Sequence, residues 1–216
     1  MHNTVKNLIY IEDLIKSKVN HDKLAQIIVV SKTFSIENIL PLIEHGHLHY
    51  GENKVQEALD KWTEIKKKNN DIKLHLIGKL QTNKVRFAMG IFDYIHSVDS
   101  EKLAIKISDE QIKQEKKPKM FIQVNIGNEE QKSGINQHNL KDFYKFCKNL
   151  NLDIIGIMCI PPNDGNTEKY FLMMDEIKKT LNFKELSMGM SGDYLQAIEN
   201  NATFIRVGSK IFGSRT

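Results

Sequence analysis

The sequence predicts an α/β fold, with eight parallel strands and covering helices closed into a (β/α)₈ barrel. Short apolar segments rich in β-branched residues alternate with longer segments of helical periodicity, and this alternation repeats eight times. Parallel strands need crossover connections, which helices supply. An open, doubly wound sheet is the alternative architecture. The 216 residues are few for a TIM-type barrel, which typically takes about 250, but they lie within its range.

The elements follow from apolar periodicity, taken in chain order. An extra N-terminal amphipathic helix is predicted from Val5, Leu8, Ile9, Ile11, Leu14 and Ile15. Strands are predicted near 26–30, 47–50, 73–77, 93–96, 119–125, 153–158, 185–188 and 203–207. Helices are predicted at 35–45, 53–68, 100–114, 136–149 and 165–181, with shorter ones around 80–88 and 192–200. No linker or low-complexity segment interrupts the pattern, so we expect one domain over residues 1–216.

Composition and charge exclude several classes of protein. Hydrophobic residues make up 40% and charged residues 27%, and the net charge is only +4, spread along the chain. The densest basic runs, 66–68 and 116–117, fall in hydrophilic connecting segments and predict a solvated surface rather than a nucleic-acid site. No segment has the apolar length of a membrane span or a signal peptide. Cys147 and Cys159 lack metal-ligand spacing, and we expect a cytoplasmic protein.

Unusual polar and glycine residues follow the predicted strand ends. In a barrel of this type, function gathers at the carboxyl ends of the strands. Those ends carry Ser31-Lys32, Gly51-Glu52-Asn53, His75-Leu76-Ile77-Gly78, His96-Ser97, Asn125, Met158, Met190-Ser191-Gly192 and Arg206-Val207-Gly208-Ser209. Their convergence on one rim predicts a binding site there.

The loops after strands seven and eight indicate phosphate binding. Barrels often bind phosphate with these two loops and the start of a short helix. Ser191-Gly192 and Gly208-Ser209 each supply a hydroxyl donor and a residue that lets the backbone approach closely. The alternative is an ordinary serine cap with a tight turn. Two such loops on adjacent strands favour phosphate.

The expected neighbours of Lys32 indicate a function for its ammonium group. Strands one and eight adjoin in a closed barrel, so Lys32 is expected near Arg206 and the phosphate loops. A lysine there acts as a fixed cation or forms a Schiff base with a carbonyl. Pyridoxal 5′-phosphate (PLP) carries both an aldehyde and a phosphate, and Arg206 could face its pyridine nitrogen. The competing interpretation is a lysine that extends from a strand end into solvent.

The chain resembles the PLP homeostasis protein family, whose barrel is similar to the N-terminal domain of alanine racemase. The resemblance covers nearly the whole chain and rests on several blocks in order. They are Val30-Ser31-Lys32-Thr33, Gly51-Glu52-Asn53 with Val55-Gln56-Glu57, His75-Leu76-Ile77-Gly78 with Leu80-Gln81-Thr82-Asn83-Lys84, His96-Ser97-Val98-Asp99, Val124-Asn125 with Lys132-Ser133-Gly134, Leu186-Ser187-Met188-Gly189-Met190-Ser191 with Asp193, and Arg206-Val207-Gly208-Ser209 with Ile211-Phe212-Gly213.

The resemblance implies a cofactor and a role for each matching residue. Lys32 matches the lysine that forms the Schiff base with PLP, and Arg206 the arginine that faces the pyridine nitrogen. Phosphate-binding positions match Ser191, Gly208 and Ser209, and a position of the pocket wall matches Asn53. Arginine would leave the ring nitrogen unprotonated and the ring a weak electron sink. The resemblance therefore implies a monomeric PLP carrier without known turnover, with apo PLP-dependent enzymes as its partners.

Some features depart from the family pattern or leave other functions open. Phe34 stands where many relatives have a second lysine, while Lys84 and Lys132 match family lysines that could accept PLP transiently. His47 and His49 share one strand face if the strand is formed as predicted, but no further ligand completes a metal site.

The alternative from a different class is a PLP-dependent racemase or lyase acting on a small amino acid. Alanine racemase needs a second domain that supplies an acid/base residue, and we expect none after a barrel that ends near Thr216. A catalytic role would instead require a proton-transfer group, for which His75, His96 and Tyr50 are the first candidates. A sugar-phosphate barrel enzyme with Lys32 as its anchor is a third hypothesis.

Overall fold

The computed structural model describes residues 1–18 and 24–213. The strands are β1 (Gln26–Val30), β2 (His49–Glu52), β3 (Lys73–Leu76), β4 (Tyr94–Val98), β5 (Lys119–Gln123), β6 (Ile154–Met158), β7 (Glu185–Ser187) and β8 (Phe204–Val207). The helices are α1 (Asn3–Lys18), α2 (Ile36–Glu44), α3 (Val55–Lys68), α4 (Val85–Ile91), α5 (Glu101–Gln114), α6 (Gln137–Asn149), α7 (Thr167–Thr180), α8 (Tyr194–Glu199) and α9 (Ser209–Phe212). A 3₁₀ turn, Thr82–Lys84, precedes α4.

The eight strands form a closed, parallel barrel in chain order. β1 pairs with β2 on one side and with β8 on the other, where Ile28 lies opposite Arg206 and Val29 opposite Val207. This closure confirms the predicted (β/α)₈ barrel over the open sheet. It also places the segment after β1 beside the segment after β8, as the sequence predicted for Lys32.

Apolar side chains occupy two separate layers. A small cluster inside the barrel contains Ile28, Phe121, Met158 and Phe204, and a large cluster lies between the strands and the surrounding helices. Strand side chains alternate between these layers, because successive residues point to opposite faces. The inner layer also holds polar residues, and these matter for the site.

The N-terminal helix α1 is confirmed and packs against α2 and α9. Its predicted apolar stripe buries Val5, Leu8, Ile11 and Ile15, with Ile9 and Leu14 partly buried. Asn7 Nδ2 donates a hydrogen bond of 2.9 Å to the carbonyl of Ile211 in α9. None of the described helices is long and apolar enough to cross a membrane.

Several predicted boundaries were wrong by a few residues. The strand predicted at 47–50 spans His49–Glu52, because the amides of 46 and 47 complete the turn after α2 by donating to the carbonyls of Ile43 and Leu42. The strand predicted at 119–125 ends at Gln123, after which Val124 forms a single bridge with Ile135. The segment predicted as one helix at 80–88 is a 3₁₀ turn followed by α4, which continues to Ile91.

Candidate functional site

The predicted site residues line one pocket at the carboxyl ends of the strands. The pocket has a volume of about 520 Å³ and is formed by the segments after β1, β2, β3, β6, β7 and β8. All six predicted residues line it: Lys32, Asn53, Ser191, Arg206, Gly208 and Ser209. The remaining lining residues are Val30, Phe34, Ile77, Ile160, Met190, Gly192 and Gly213. Of these, Ile160 was not predicted from the sequence, since an apolar residue that follows a strand looks like core, and Phe34 stood out there only as a departure from the family.

The loop that carries Lys32 is fixed by a cluster of polar groups behind it. The Ser31 amide donates to the carbonyl of Gly51, and the Ser31 hydroxyl donates to Glu52 Oε1 at 2.8 Å. The Thr33 amide donates to Glu57 Oε1, and Thr33 has a positive φ of 68°. The backbone on both sides of Lys32 is therefore held in place.

Lys61 on α3 joins these groups. Its ammonium donates to the carbonyl of Ser31 at 2.9 Å and to Glu52 Oε1 and Glu57 Oε1 at 3.0 Å. Glu52 is fully buried, and Trp62 Nε1 also donates to its Oε1. Burial raises the pKa of Glu52 above its usual value, although these donors lower it. In the sequence, Glu52 stands out only within a motif. The available signal was a carboxylate at the end of β2, followed directly by the helix that carries Lys61.

The two serine-glycine loops meet at the pocket. The Gly208 amide donates to Ser191 Oγ at 3.2 Å, which joins the loop after β7 to the loop after β8. A Cβ on Gly208 would lie 3.2 Å from both Cβ and the carbonyl oxygen of Val30, so a side chain there would press on β1. The Met190 amide donates to the carboxylate of Asp193, which folds back the loop before α8. Hydroxyl and amide donors from two strands thus converge in one place.

Arg206 forms the floor of the pocket and is 4% exposed. One terminal nitrogen, Nη1, donates to Ser187 Oγ at 2.8 Å, and the other, Nη2, donates to the carbonyl of Cys159 at 2.9 Å. Burial lowers the pKa of Arg206 from its usual value, but an arginine has no acceptor to offer and stays a donor and a cation.

An aromatic pair closes the side of the pocket near Lys32. Phe34 and Phe212 are stacked, with ring centroids 4.3 Å apart and an angle of 21° between the planes. The contact ties the loop after β1 to α9, the short helix that begins at Ser209. Phe34, noted in the sequence as a departure from the family lysine, therefore forms part of the wall.

Lys84 and Lys132 do not line the pocket. The Lys84 ammonium lies 5.9 Å from the ring centroid of Phe87. Lys132 pairs with Glu129 Oε2 at 2.6 Å and donates to the carbonyl of Pro161. Neither interaction directs these ammonium groups toward the cavity that Lys32 lines.

The candidates for proton transfer, His75, His96 and Tyr50, also lie away from the pocket wall. All three are fully buried. His75 and His96 belong to the barrel interior, and the Tyr50 hydroxyl donates to the carbonyl of His47 near the amino ends of the strands. None of the three lines the cavity.

His47 and His49 interact with other groups of the protein. His47 Nε2 bonds to the carbonyl of His49, and His49 Nδ1 bonds to His75 Nε2, both at 2.9 Å. Within residues 1–18 and 24–213, no group of three or more histidine, cysteine or acidic side chains could hold a metal ion.

A larger cavity of about 930 Å³ lies on the outer surface between α3, α4 and α5. Three of its lysines are already paired within the chain: Lys66 with Asp93, Lys67 with Glu64 and Lys113 with Glu110. It contains none of the strand-end residues, so size alone does not identify the site.

Comparisons with known proteins agree with this geometry. The model of the alanine racemase N-terminal domain family matches residues 13–216. The pyridoxal phosphate homeostasis protein of Aquifex aeolicus (strain VF5) is 39% identical over 201 residues, covering 88% of this chain and 87% of the relative. The protein of the same name from Escherichia coli (strain K12) is 31% identical over 199 residues, covering 88% and 85%.

Solved structures give the same answer. PipY of Synechococcus elongatus PCC7942, solved with PLP bound, is 33% identical with a TM-score of 0.84 and coverage of 97% of this chain and 100% of PipY. An alanine racemase from Clostridium difficile 630 shares the fold alone, at 14% identity and a TM-score of 0.75; this chain covers 57% of its length. The chain belongs to the family of pyridoxal phosphate homeostasis proteins, built on a barrel of the alanine racemase N-terminal type.

Proposed function

We propose that this protein binds PLP in the strand-end pocket, with Lys32 as the point of covalent attachment, and serves PLP homeostasis as a carrier. One observation carries the proposal: Lys32, Arg206 and both serine-glycine loops line a single cavity. PipY, a relative of the same fold, has been solved with PLP bound, which supports the assignment.

The residues present fit the cofactor. A cavity of about 520 Å³ falls within the range of small-molecule sites. PLP supplies an aldehyde, which condenses with a lysine amine with loss of water, and a phosphate on the same rigid ring. Ser191, Ser209 and the backbone at Gly208 are the donors proposed for the phosphate, Asn53 contributes to the wall, and Arg206 is proposed to face the ring nitrogen.

The surroundings of the pocket support a carrier rather than a racemase or lyase. Racemisation needs an acid or base within hydrogen-bonding reach of the substrate proton. The side chains first considered for that task, His75, His96 and Tyr50, do not line the cavity. Arg206, as a permanent donor, would not protonate the ring nitrogen, which limits carbanion stabilisation. We propose that the protein holds PLP as a monomer and passes it to apo-enzymes.

The test compares visible absorption spectra of wild type and Lys32→Ala during titration with PLP. We expect a borohydride-reducible absorption band in the wild type and its loss in Lys32→Ala. Lys132→Ala is the matched control and should keep the band, because Lys132 is engaged with Glu129. A band that survives in Lys32→Ala would place the attachment elsewhere, and a wild type that takes up no PLP would refute the proposal.

The carrier role is tested separately from binding. Loaded protein is incubated in D₂O with small amino acids, and loss of the α-proton is followed by NMR. We expect no exchange above that of free PLP, and transfer of PLP to an apo-enzyme that regains activity. Exchange that depends on the protein would establish the racemase or lyase alternative.

A further inference from the structure

A continuous line of hydrogen bonds crosses the interior of the barrel and ends at Arg206. His49 Nδ1 lies 2.9 Å from His75 Nε2, and His75 Nδ1 lies 2.9 Å from His96 Nε2. His96 Nδ1 lies 3.0 Å from Ser187 Oγ, which accepts from Arg206 Nη1. The line uses one residue from each of β2, β3, β4, β7 and β8, and runs from the amino ends of the strands to the pocket.

Arg206 sets the direction of every bond in this line. An arginine only donates, so Ser187 Oγ must accept from it. The Ser187 hydroxyl can then donate to His96 Nδ1, which leaves the single proton of a neutral His96 on Nε2, facing His75. The same logic puts the proton of His75 on Nε2, facing His49 Nδ1. If the histidine protons were reversed, His96 Nδ1 would donate to Ser187 Oγ, and the Ser187 hydroxyl proton would need a third partner. Residues 1–18 and 24–213 do not supply one.

The histidine rings are held at fixed angles. The ring of His75 stacks on Tyr94 with centroids 4.2 Å apart, and that of His96 stacks on Phe121 at the same distance. Both histidines are fully buried, and burial lowers their pKa well below the usual value, so they are neutral at pH 7. Each neutral ring, held by its aromatic neighbour, therefore keeps one hydrogen-bonding arrangement, in which Nε2 donates and Nδ1 accepts.

We propose that His75, His96 and Ser187 are positioning residues for Arg206, which they hold through a one-directional hydrogen-bond relay. The relay fixes the guanidinium against the pocket, with Nη2 held by the carbonyl of Cys159 on the other side. None of the three touches the cavity, so each acts only through Arg206. The proposal rests on the proposed function in one respect: Arg206 is taken to face PLP.

The first test needs no cofactor. In cofactor-free protein labelled with ¹⁵N in the histidine rings, long-range ¹H–¹⁵N correlation spectra at pH 7.5 distinguish the two tautomers. We expect His75 and His96 to be neutral Nε2–H tautomers. A proton on Nδ1 of either ring, or a charged ring, would overturn the direction that Arg206 imposes.

The second test uses Ser187→Ala, which removes the hydroxyl between His96 and Arg206 and adds no volume. We expect PLP to bind roughly tenfold more weakly and with a shifted absorption maximum, since a charged donor loses its acceptor. The matched control is Ser97→Ala, because Ser97 is equally buried and its hydroxyl has no hydrogen-bond partner among the described residues. Its PLP affinity and spectrum should equal those of the wild type.

The outcomes separate this proposal from the proposed function. If wild type and Ser187→Ala bind PLP with the same affinity and absorption maximum, Ser187 does not position Arg206 and the relay is refuted. If the wild type takes up no PLP, the proposed function fails, and the tautomers alone decide whether the relay exists. If Ser97→Ala shows the same change in the PLP spectrum as Ser187→Ala, the effect comes from the loss of any buried serine hydroxyl. That result would also refute the proposal.

Discussion

The four histidines of the barrel interior and its amino-terminal end should make the protein sensitive to mild acid. Burial lowers the pKa of His47 and of His49 to about 4. It also lowers the pKa of His75 and of His96 well below the usual 6.5. In the unfolded chain these histidines take up protons near pH 6.5, while the folded protein excludes them. Their stabilisation is therefore complete above pH 6.5 and is lost as the pH falls.

The magnitude can be worked out for His47, which is 9% exposed. Each histidine that is charged only in the unfolded state costs about 1.4 kcal/mol per pH unit below 6.5. Between pH 7 and pH 5, His47, with a folded pKa of about 4, accounts for about 2 kcal/mol of lost stability. His75 and His96 add losses of the same sign. Glu52 and Asp99, whose pKa values are raised by burial, act in the opposite direction. Since domains are typically stable by only about 5–15 kcal/mol, the contribution of His47 alone is a substantial fraction of the total.

The assay is urea denaturation at pH 5, 6 and 7, followed by circular dichroism. The test variant is His47→Gln, whose amide can still donate to the carbonyl that His47 Nε2 contacts. We expect its loss of unfolding free energy between pH 7 and pH 5 to be smaller than that of the wild type by about 2 kcal/mol. The control is His138→Gln, an exposed position on α6, whose pH dependence should match the wild type. Contributions of Glu52 and Asp99 cancel in both comparisons.

If His47→Gln shows the same pH dependence as the wild type, then His47 is not held neutral by burial and the reasoning fails. Because Glu52 and Asp99 act in the opposite direction, the comparison of His47→Gln with the wild type decides this point, and the wild-type pH dependence alone does not.

Three substitutions test the supports of the pocket. Lys61→Met leaves the buried carboxylate of Glu52 without its ion-pair partner and should lower the unfolding free energy by about 3 kcal/mol in urea denaturation. Phe34→Ala removes the stacked contact with Phe212 and should weaken PLP binding about tenfold in an absorbance titration, with a smaller loss of stability. Gly208→Ala presses a methyl group against β1, should cost about 1–3 kcal/mol in urea denaturation, and should weaken PLP binding as well.

Each of these has its own control. Lys67→Met changes a lysine of α3 that is mostly exposed, with 65% of its side chain accessible, and should alter stability by less than about 0.5 kcal/mol. Phe87→Ala removes an exposed phenyl ring outside the pocket and should leave PLP affinity unchanged. Gly192→Ala adds a methyl group where no atom lies within 4 Å and should cost less stability than Gly208→Ala. Equal effects of a variant and its control would contradict the role assigned to that contact.

The sequence predicted the barrel because its evidence is periodic and local, and the six candidate site residues were found because strand ends in a barrel converge. Lys32, Arg206 and the serine-glycine loops do line one pocket. What the sequence could not predict depends on which side chains meet across the fold. The cluster of Glu52, Glu57 and Lys61 requires the register between β2 and α3. Likewise, His75 and His96 look like proton-transfer residues in the sequence, because their neighbours along the chain do not show that both side chains point into the closed interior of the barrel.

The pocket joins residues from the two ends of the described chain, which bears on when it can form during synthesis. Lys32 follows the first strand, while Gly208 and Ser209 follow the last. The hydrogen bond from Asn7 to Ile211 spans 204 residues. Contacts of such separation in sequence form only when both partners are available. On the ribosome, the nascent chain can expose Lys32 long before it has emerged as far as Ser209. If PLP binds as proposed, loading therefore follows translation, and the protein acquires its ligand as a finished barrel.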